Sequence, residues 1–300
     1  MQDRIADSLP NVNAVLIARA GAVAWEWYAD GVDSSTTADV YSITKSVVAT
    51  FVGIALQQGW MTSLDQPVTD FFPDLATDQY ADPRVVGITV RQLLSMRSGL
   101  ENEVSQRVAQ NSRQLVRKLL ETPLLFDPGT GFQYDMANSH VLSGIVQQVG
   151  GANLATLGNR DLFPRLNIES GQWATDADLI NTGWTGLFLS ARDLAKIGEL
   201  YRLDGVWLGT RLLPAGFAAE AAGTVTTPRP DDFADYALHW WTTDRYGPPL
   251  WIAAGYREQY LVVVPSRQLV AVIQSEAIAP RGPIVDHFPL ITNFIVPAAQ

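Results

Sequence analysis

Ser42 and Lys45 lie three residues apart in the stretch Tyr41-Ser42-Ile43-Thr44-Lys45, and an apolar run follows them. A serine hydroxyl is a weak nucleophile near neutral pH and needs a base beside it. Residues three apart on a helix share a face, so a helix beginning near Ser42 would point both side chains the same way. Its first turn would also bring free N–H groups and partial positive charge, which are donors suited to holding an oxyanion. The same positive field, with burial, disfavours a charged ammonium, and a neutral lysine can take the serine proton. Of the 21 basic residues only Lys45, Lys118 and Lys196 are lysines, the other 18 being arginines. Arginine stays protonated and cannot serve as a base, whereas lysine can. Ser42 to Lys45 is the only Ser-x-x-Lys in the chain. On spacing alone, a serine that caps a helix with its lysine in solvent is the better fit.

These residues need a scaffold, and the chain is long enough to supply one. Its 300 residues are 47% hydrophobic and 17% charged, the composition of a folded protein with one large domain or two ordinary ones. A formal net charge of -10 and a pI near 4.7 argue against a nucleic-acid partner. With no cysteine, disulfides, zinc-thiolate sites and cysteine nucleophiles are excluded. His140, His239 and His287 are scattered, at neither metal-ligand spacing nor a Ser-His-Asp arrangement. No apolar run approaches the roughly 20 residues that span a bilayer, so no membrane role is expected. Met1 to Leu9 is polar and mixed in charge, unlike a signal peptide. A cytoplasmic protein is expected from the sequence as written, with a removed leader left open.

Val12 to Ala20 and Ala22 to Ala29 read as a hairpin turning at Ala20-Gly21. Ser42 to Gln58 reads as a helix, with Val48, Phe51, Val52 and Ala55 at helical spacing and Gly59 ending it. Val90 to Met96, Ser112 to Glu121, Ser139 to Val149 and Ala191 to Tyr201 are helical by pattern. Strands are expected at Ala237 to Thr243, Leu250 to Ala254, Gln259 to Val264 and Leu269 to Gln274, then a helix from Ile284 to Val296 interrupted by Pro289. The expected fold is of the α/β (α+β) class, an antiparallel sheet built from both chain ends and flanked by helices. Residues 1–58 with 236–300 would form the sheet domain and 59–235 an inserted, mainly helical domain, with a cleft at the junction.

Tyr41-Ser42-Ile43-Thr44-Lys45 resembles the first motif of the β-lactamase and penicillin-binding-protein superfamily. Leu64-Asp65-Gln66-Pro67-Val68 with Phe72-Pro73 is similar to the segment after the nucleophile helix in class C-type members. Thr89-Val90-Arg91-Gln92-Leu93-Leu94-Ser95-Met96 with Ser98-Gly99-Leu100, Pro128-Gly129-Thr130 with Phe132-Gln133-Tyr134, and Gly186-Leu187 with Ser190-Ala191-Arg192-Asp193-Leu194-Ala195 follow in family order. The chain is thereby identified as a member of this superfamily from about residue 12 to residue 275. The resemblance implies a β-lactamase/transpeptidase-like fold and a serine hydrolase of the class C β-lactamase-related group, among whose relatives are esterases and 6-aminohexanoate-dimer hydrolases. It implies Ser42 as nucleophile, Tyr134 sharing the proton work with Lys45, and the N–H groups of Ser42 and Tyr256 as oxyanion hole. Gly255, closing Ala253-Ala254-Gly255, would let substrate approach the backbone. No metal or organic cofactor is implied, and the oligomeric state is left unknown.

Two departures from the family pattern bear on substrate. The second motif, usually Tyr-x-Asn, reads Tyr134-Asp135-Met136 here, with Asn138 two residues on as a replacement amide. The third motif begins with Ala253 where a lysine or histidine is usual. That cation commonly meets the carboxylate of penicillins and stem peptides, through a charge-assisted contact. Arg257 is a substitute that Glu258 could neutralise, and Arg257-Glu258-Gln259 stands where many relatives have Gly-Gly-Gln. Trp184 and Tyr256 are kept as pocket residues, with Asn138, Gly255 and Gln259 as further substrate contacts, while Trp240 and Trp241 read mainly as core. The expected substrate is a small ester or amide. A β-lactamase or D,D-peptidase, or a non-catalytic binding member of the fold, are the alternatives.

Overall fold

A computed structural model describes residues 11–77, 82–102, 112–169, 171–224, 234–275 and 286–299, together with Ile5, Leu9, Ser105, Gln106 and Thr226. Of Met1 to Leu9 only Ile5 and Leu9 are described, and Ile284 and Val285 of the expected C-terminal helix lie outside the described residues.

The strands are β1 (Val12–Arg19), β2 (Ala22–Tyr28), β3 (Ala38–Asp39), β4 (Phe188–Leu189), β5 (Val206–Trp207), β6 (Thr210–Arg211), β7 (Asp235–Tyr236), β8 (Trp241–Thr243), β9 (Leu250–Gly255), β10 (Gln259–Val264) and β11 (Leu269–Ser275). The helices are α1 (Ile43–Gln57), α2 (Val90–Leu94), α3 (Leu115–Leu120), α4 (Met136–Gly150), α5 (Leu154–Leu157), α6 (Ala191–Arg202), α7 (Phe217–Gly223) and α8 (Phe288–Leu290), the last running through a π-type turn, Ile291–Ile295, into α9 (Val296–Ala298). Seven strands form one sheet in the order β2-β1-β11-β10-β9-β8-β7, antiparallel throughout. The first and last parts of the chain therefore meet at the β1–β11 pairing in the sheet interior.

Side chains alternate across this sheet with the period of two that pleating imposes. Leu16, Leu261, Val263, Val270 and Val272 enter one core with α1, α4 and α6. Val15, Val262, Val264, Leu269, Ala271 and Ile273 enter a second core with Phe288, Ile291, Ile295 and Val296. The hairpin turns at Ala20 and Gly21, both at positive φ as a two-residue turn between twisted strands requires. α2 and α6 begin in capping boxes, Thr89 with Gln92 and Ser190 with Asp193. Those residues fall within two of the family-like stretches.

The structure corrects two expected elements. Ala237 to Thr243 is not one strand: the chain leaves β7, turns sharply through His239 at φ 60°, and re-enters as β8. Ala237 N–H donates to the carbonyl of Trp240 across that turn. Pro289 does not interrupt the terminal helix but stands in its first turn, where its missing N–H costs nothing.

α6 lies directly on β1, β10 and β11. It approaches closely because Gly198 carries no side chain: a Cβ there would sit 2.7 Å from Val270 and 2.8 Å from Leu261. Gly198→Leu is expected to lower the unfolding free energy by about 1–3 kcal/mol through overpacking, measured by urea titration. Wild-type stability in that variant would show that the interface has slack.

Candidate active site

The turn at Ser42 is held from several directions. Tyr41, at φ 46°, directs the chain into α1, with Ser42 at the N-cap. The Asp39 carboxylate accepts hydrogen bonds from Tyr41 N (2.8 Å), Gly186 N (3.0 Å) and Thr185 Oγ1 (3.1 Å). Gln259 Nε2 donates to the Asp39 carbonyl (3.0 Å), joining β10 to the same turn. Val40 N–H donates to Leu187 O. The family-like pair Gly186-Leu187 thus backs the nucleophile turn.

Lys45 lies on the first turn of α1 and is 4% exposed. Its Nζ donates to Ser42 Oγ at 3.0 Å and stands 4.8 Å from the centroid of the Tyr134 ring. Tyr134 stacks on Trp241 (5.6 Å between centroids, 26°) and meets the edge of Tyr236. Asp135 caps α4 through Ala137 N (2.6 Å) and accepts from Ser105 Oγ. Burial pushes its carboxyl above the usual range, against those hydrogen bonds and the attraction of Lys45.

Ser42 and Tyr134 border a cleft of about 640 Å³, within the size range of small-molecule sites, with Trp241, Tyr246, Ala254, Gly255 and Tyr256. Glu258, Tyr260, Asp286 and Phe288 complete its lining, so among the described residues two carboxylates and no arginine or lysine border it. Burial and the neighbouring Asp286 push the Glu258 carboxyl upward. Among the described residues, no cluster of His, Cys, Asp or Glu is built to hold a metal ion.

Of the sequence-derived site residues, the structure brings together Ser42, Lys45, Tyr134, Gly255 and Tyr256. Tyr256 is exposed and meets Tyr41 edge-on at 5.4 Å. Gly255 has a different steric reason from the one expected: a Cβ there would lie 2.7 Å from the carbonyl oxygen of Val40, so the close approach is to the chain's own nucleophile turn. Asn138 is 1% exposed and off the cleft wall, its Oδ1 accepting from Ser98 Oγ (2.6 Å) and its Nδ2 buried without a partner. Gln259 is wholly buried against Asp39. Trp184 stands away from the cleft lining, edge-on to His140 at 5.2 Å. Arg257 does not line the cleft either: its guanidinium lies 5.5 Å from the Tyr256 ring, while Glu258 accepts from Tyr260 Oη rather than pairing with it. Ala253 is buried in the core, and Ala254 takes its place on the cleft wall.

Sequence reasoning missed Asp39 and His239, and left Trp241 with the core although it also borders the cleft. Asp39 could have been found, because an aspartate accepting from the N–H two residues on is a common turn device. His239 had no such signal, since its role depends on the reversal in a segment that reads as a strand.

A half-buried serine and a buried lysine at the start of a helix beside a seven-stranded antiparallel sheet is the arrangement of the β-lactamase and penicillin-binding-protein fold. The chain superposes along its full length on a Bacillus anthracis protein provisionally assigned as a 6-aminohexanoate-dimer hydrolase. The TM-score is 0.80 and the identity 18%, covering 100% of this chain and 81% of that one. An octameric penicillin-binding protein homologue from Pyrococcus abyssi gives a TM-score of 0.73 at 17% identity, over 97% of this chain and 75% of that one. The Beta-lactamase family model matches residues 8–283, and the chain belongs to that family. It is 26% identical over 272 residues to the 6-aminohexanoate-dimer hydrolase of Paenarthrobacter ureafaciens, covering 80% of this chain and 69% of that protein. The chain is a hydrolase of the β-lactamase-fold superfamily. Among the described residues no helix is long and apolar enough to cross a membrane.

One titration follows from the geometry. Burial, then the Lys45 charge, push the His239 imidazole down to about 3 from its ordinary 6.5. As pH falls the unfolded chain takes up the proton first, so stability complete above about pH 6.5 is lost progressively toward pH 3. From about pH 7 to about pH 5, wild type should lose about 2 kcal/mol more unfolding free energy than His239→Asn. Urea titrations at both pH values measure this, and parallel losses would mean that His239 titrates as it does in water.

Proposed function

We propose that the chain hydrolyses a small ester or amide lacking a carboxylate, through an acyl-enzyme on Ser42. The observation that carries this reading is the 3.0 Å contact between Lys45 Nζ and Ser42 Oγ, made by a buried amine at the edge of an open cleft. In its neutral form Lys45 accepts the Ser42 proton while Oγ bonds to the substrate carbonyl carbon. Charge developing on the carbonyl oxygen falls to the N–H groups of Ser42 and Tyr256. Collapse of the tetrahedral species expels the alcohol or amine, which receives its proton from the Lys45–Tyr134 pair. Water then repeats the attack and releases the acid, restoring Ser42.

The two carboxylates on the cleft lining, and the missing cation at Ala253, would repel rather than hold a penicillin or stem-peptide carboxylate. The relative from Paenarthrobacter ureafaciens supports including amides beside esters.

A panel of p-nitrophenyl esters, short anilides and a chromogenic cephalosporin, assayed on wild type and Ser42→Ala, tests the reading. Ester or anilide turnover is expected to fall by at least about 10³-fold in the variant, and a fluorophosphonate probe should label only wild type. Cephalosporin turnover should be poor throughout. Equal activity in both proteins would overturn the mechanism, and cephalosporin turnover near that of a true β-lactamase would overturn the substrate assignment.

Gly255→Ala should reduce kcat/KM for the best ester roughly 10- to 100-fold, because its Cβ must push β9 away from the nucleophile turn. An unchanged kcat/KM would show that the strand edge does not set the site.

A further inference from the structure

His239 is 2% exposed, stands at positive φ, and touches three helices around the site without reaching the cleft. Its carbonyl accepts from Ser46 Oγ at 2.6 Å, on α1 next to Lys45. Its backbone N–H donates to the carbonyl of Leu94, which ends α2, at 2.8 Å. The imidazole Nδ1 lies 2.7 Å from that same carbonyl and Nε2 lies 3.0 Å from Ser139 Oγ on α4. A carbonyl can only accept, so Nδ1 carries the proton and Nε2 accepts from Ser139. Tyr236, whose Oη is 3.4 Å from Nδ1, meets the Tyr134 ring edge-on.

We propose that His239 is a positioning residue for the nucleophile: an imidazole wedge, delivered by a left-handed turn, that fixes α1 against α4 and thereby sets Lys45 against Tyr134. This rests on the reading of Ser42, Lys45 and Tyr134 given above. The backbone bonds anchor the residue behind the base, and the ring reaches α4 five residues after Tyr134. Removing the ring leaves the Ser139 hydroxyl and one Leu94 contact unmet in a closed interior, and the two helices are then free to change spacing.

The charge state matters as well. The titratable or charged groups acting on His239 are Lys45 on α1 and Tyr236 on β7; Asp135 acts on Lys45 and Tyr134 meets Tyr236, one step further out. With Lys45 the cation among them, protonating His239 would place a like charge beside it and force the Ser139 hydroxyl to turn from donor to acceptor. The wedge is held neutral while Lys45 cycles between its two forms.

The experiment compares His239→Gly, His239→Asn and Ser139→Ala with wild type in ester hydrolysis across pH, with melting curves and fluorophosphonate labelling. Glycine accepts the left-handed backbone without strain, and asparagine can keep the Leu94 contact while losing Ser139. The expected result is at least a tenfold fall in kcat for His239→Gly, with KM altered less than threefold and the pH profile of kcat/KM displaced. His239→Asn should fall between His239→Gly and wild type, and Ser139→Ala should show a smaller loss in the same direction. Wild-type kcat and pH profile in His239→Gly would overturn the proposal, and if that variant does not fold, the same result in Ser139→Ala would overturn it. Activity that survives Ser42→Ala would instead overturn the underlying reading of the site, whatever the His239 variants do.

Discussion

Lys45 places an amine in an interior where, among the described residues, it makes no ion pair and its hydrogen bond goes to Ser42 Oγ. A buried ammonium without a carboxylate is costly, and what surrounds this one limits that cost. The Tyr134 ring presents a π face to Nζ, a favourable surface for a cation. Asp135 is near enough to attract it but spends its oxygens on Ala137 N and Ser105 Oγ. A direct carboxylate partner would have fixed the amine as a cation. The helix start, the aromatic wall and the offset aspartate instead hold it against Ser42 Oγ.

Such a site tolerates little movement, and the molecule secures it with backbone rather than with long side chains. The turn before Ser42 is strained at Tyr41, and strain persists only where neighbours over-determine it. Here the neighbours are far apart in sequence: Asp39, Gly186, Leu187, Gln259 and Gly255 converge on one turn. Because β9 and β10 come from the far end of the chain, the Ser42 turn is not assembled until both ends share a sheet. Its precision is a consequence of tertiary closure, not of the Ser-x-x-Lys segment itself.

That dependence explains which parts were readable from sequence. Local devices announced themselves: the Ala20-Gly21 turn, the helix ended by Gly59, and the alternation in β10 and β11. The stretches Thr89 to Gln92 and Ser190 to Asp193 proved to be capping boxes, so part of the family likeness is helix punctuation. Features created by the meeting of distant segments were hidden. Ala237 to Thr243 reads as a strand because its residues are apolar and aromatic, yet the hydrogen bonds of His239 with Leu94 and Ser46 favour a reversal. Trp184 reads as a pocket wall yet stands against His140, while Trp241 is core as expected and also borders the cleft, because a tryptophan's side of a sheet or loop depends on register and turn geometry.

Ala253 and His239 belong to one electrostatic constraint. Ala253 is buried on the strand that packs against α1, in the same core as Ile43 and Val47. A lysine or histidine there, as is usual in the family, would add a second charge to a low-dielectric region already holding Lys45. Two like charges in such a place drive one of them to neutrality. Among the described residues the cleft lining carries two carboxylates and no lysine or arginine, and the third motif supplies no cation. His239 extends the same logic beneath the cleft, being held neutral by Lys45 and by burial. Among the described residues, the cleft lining thus offers two carboxylates and no cation, while a buried amine lies beside Ser42.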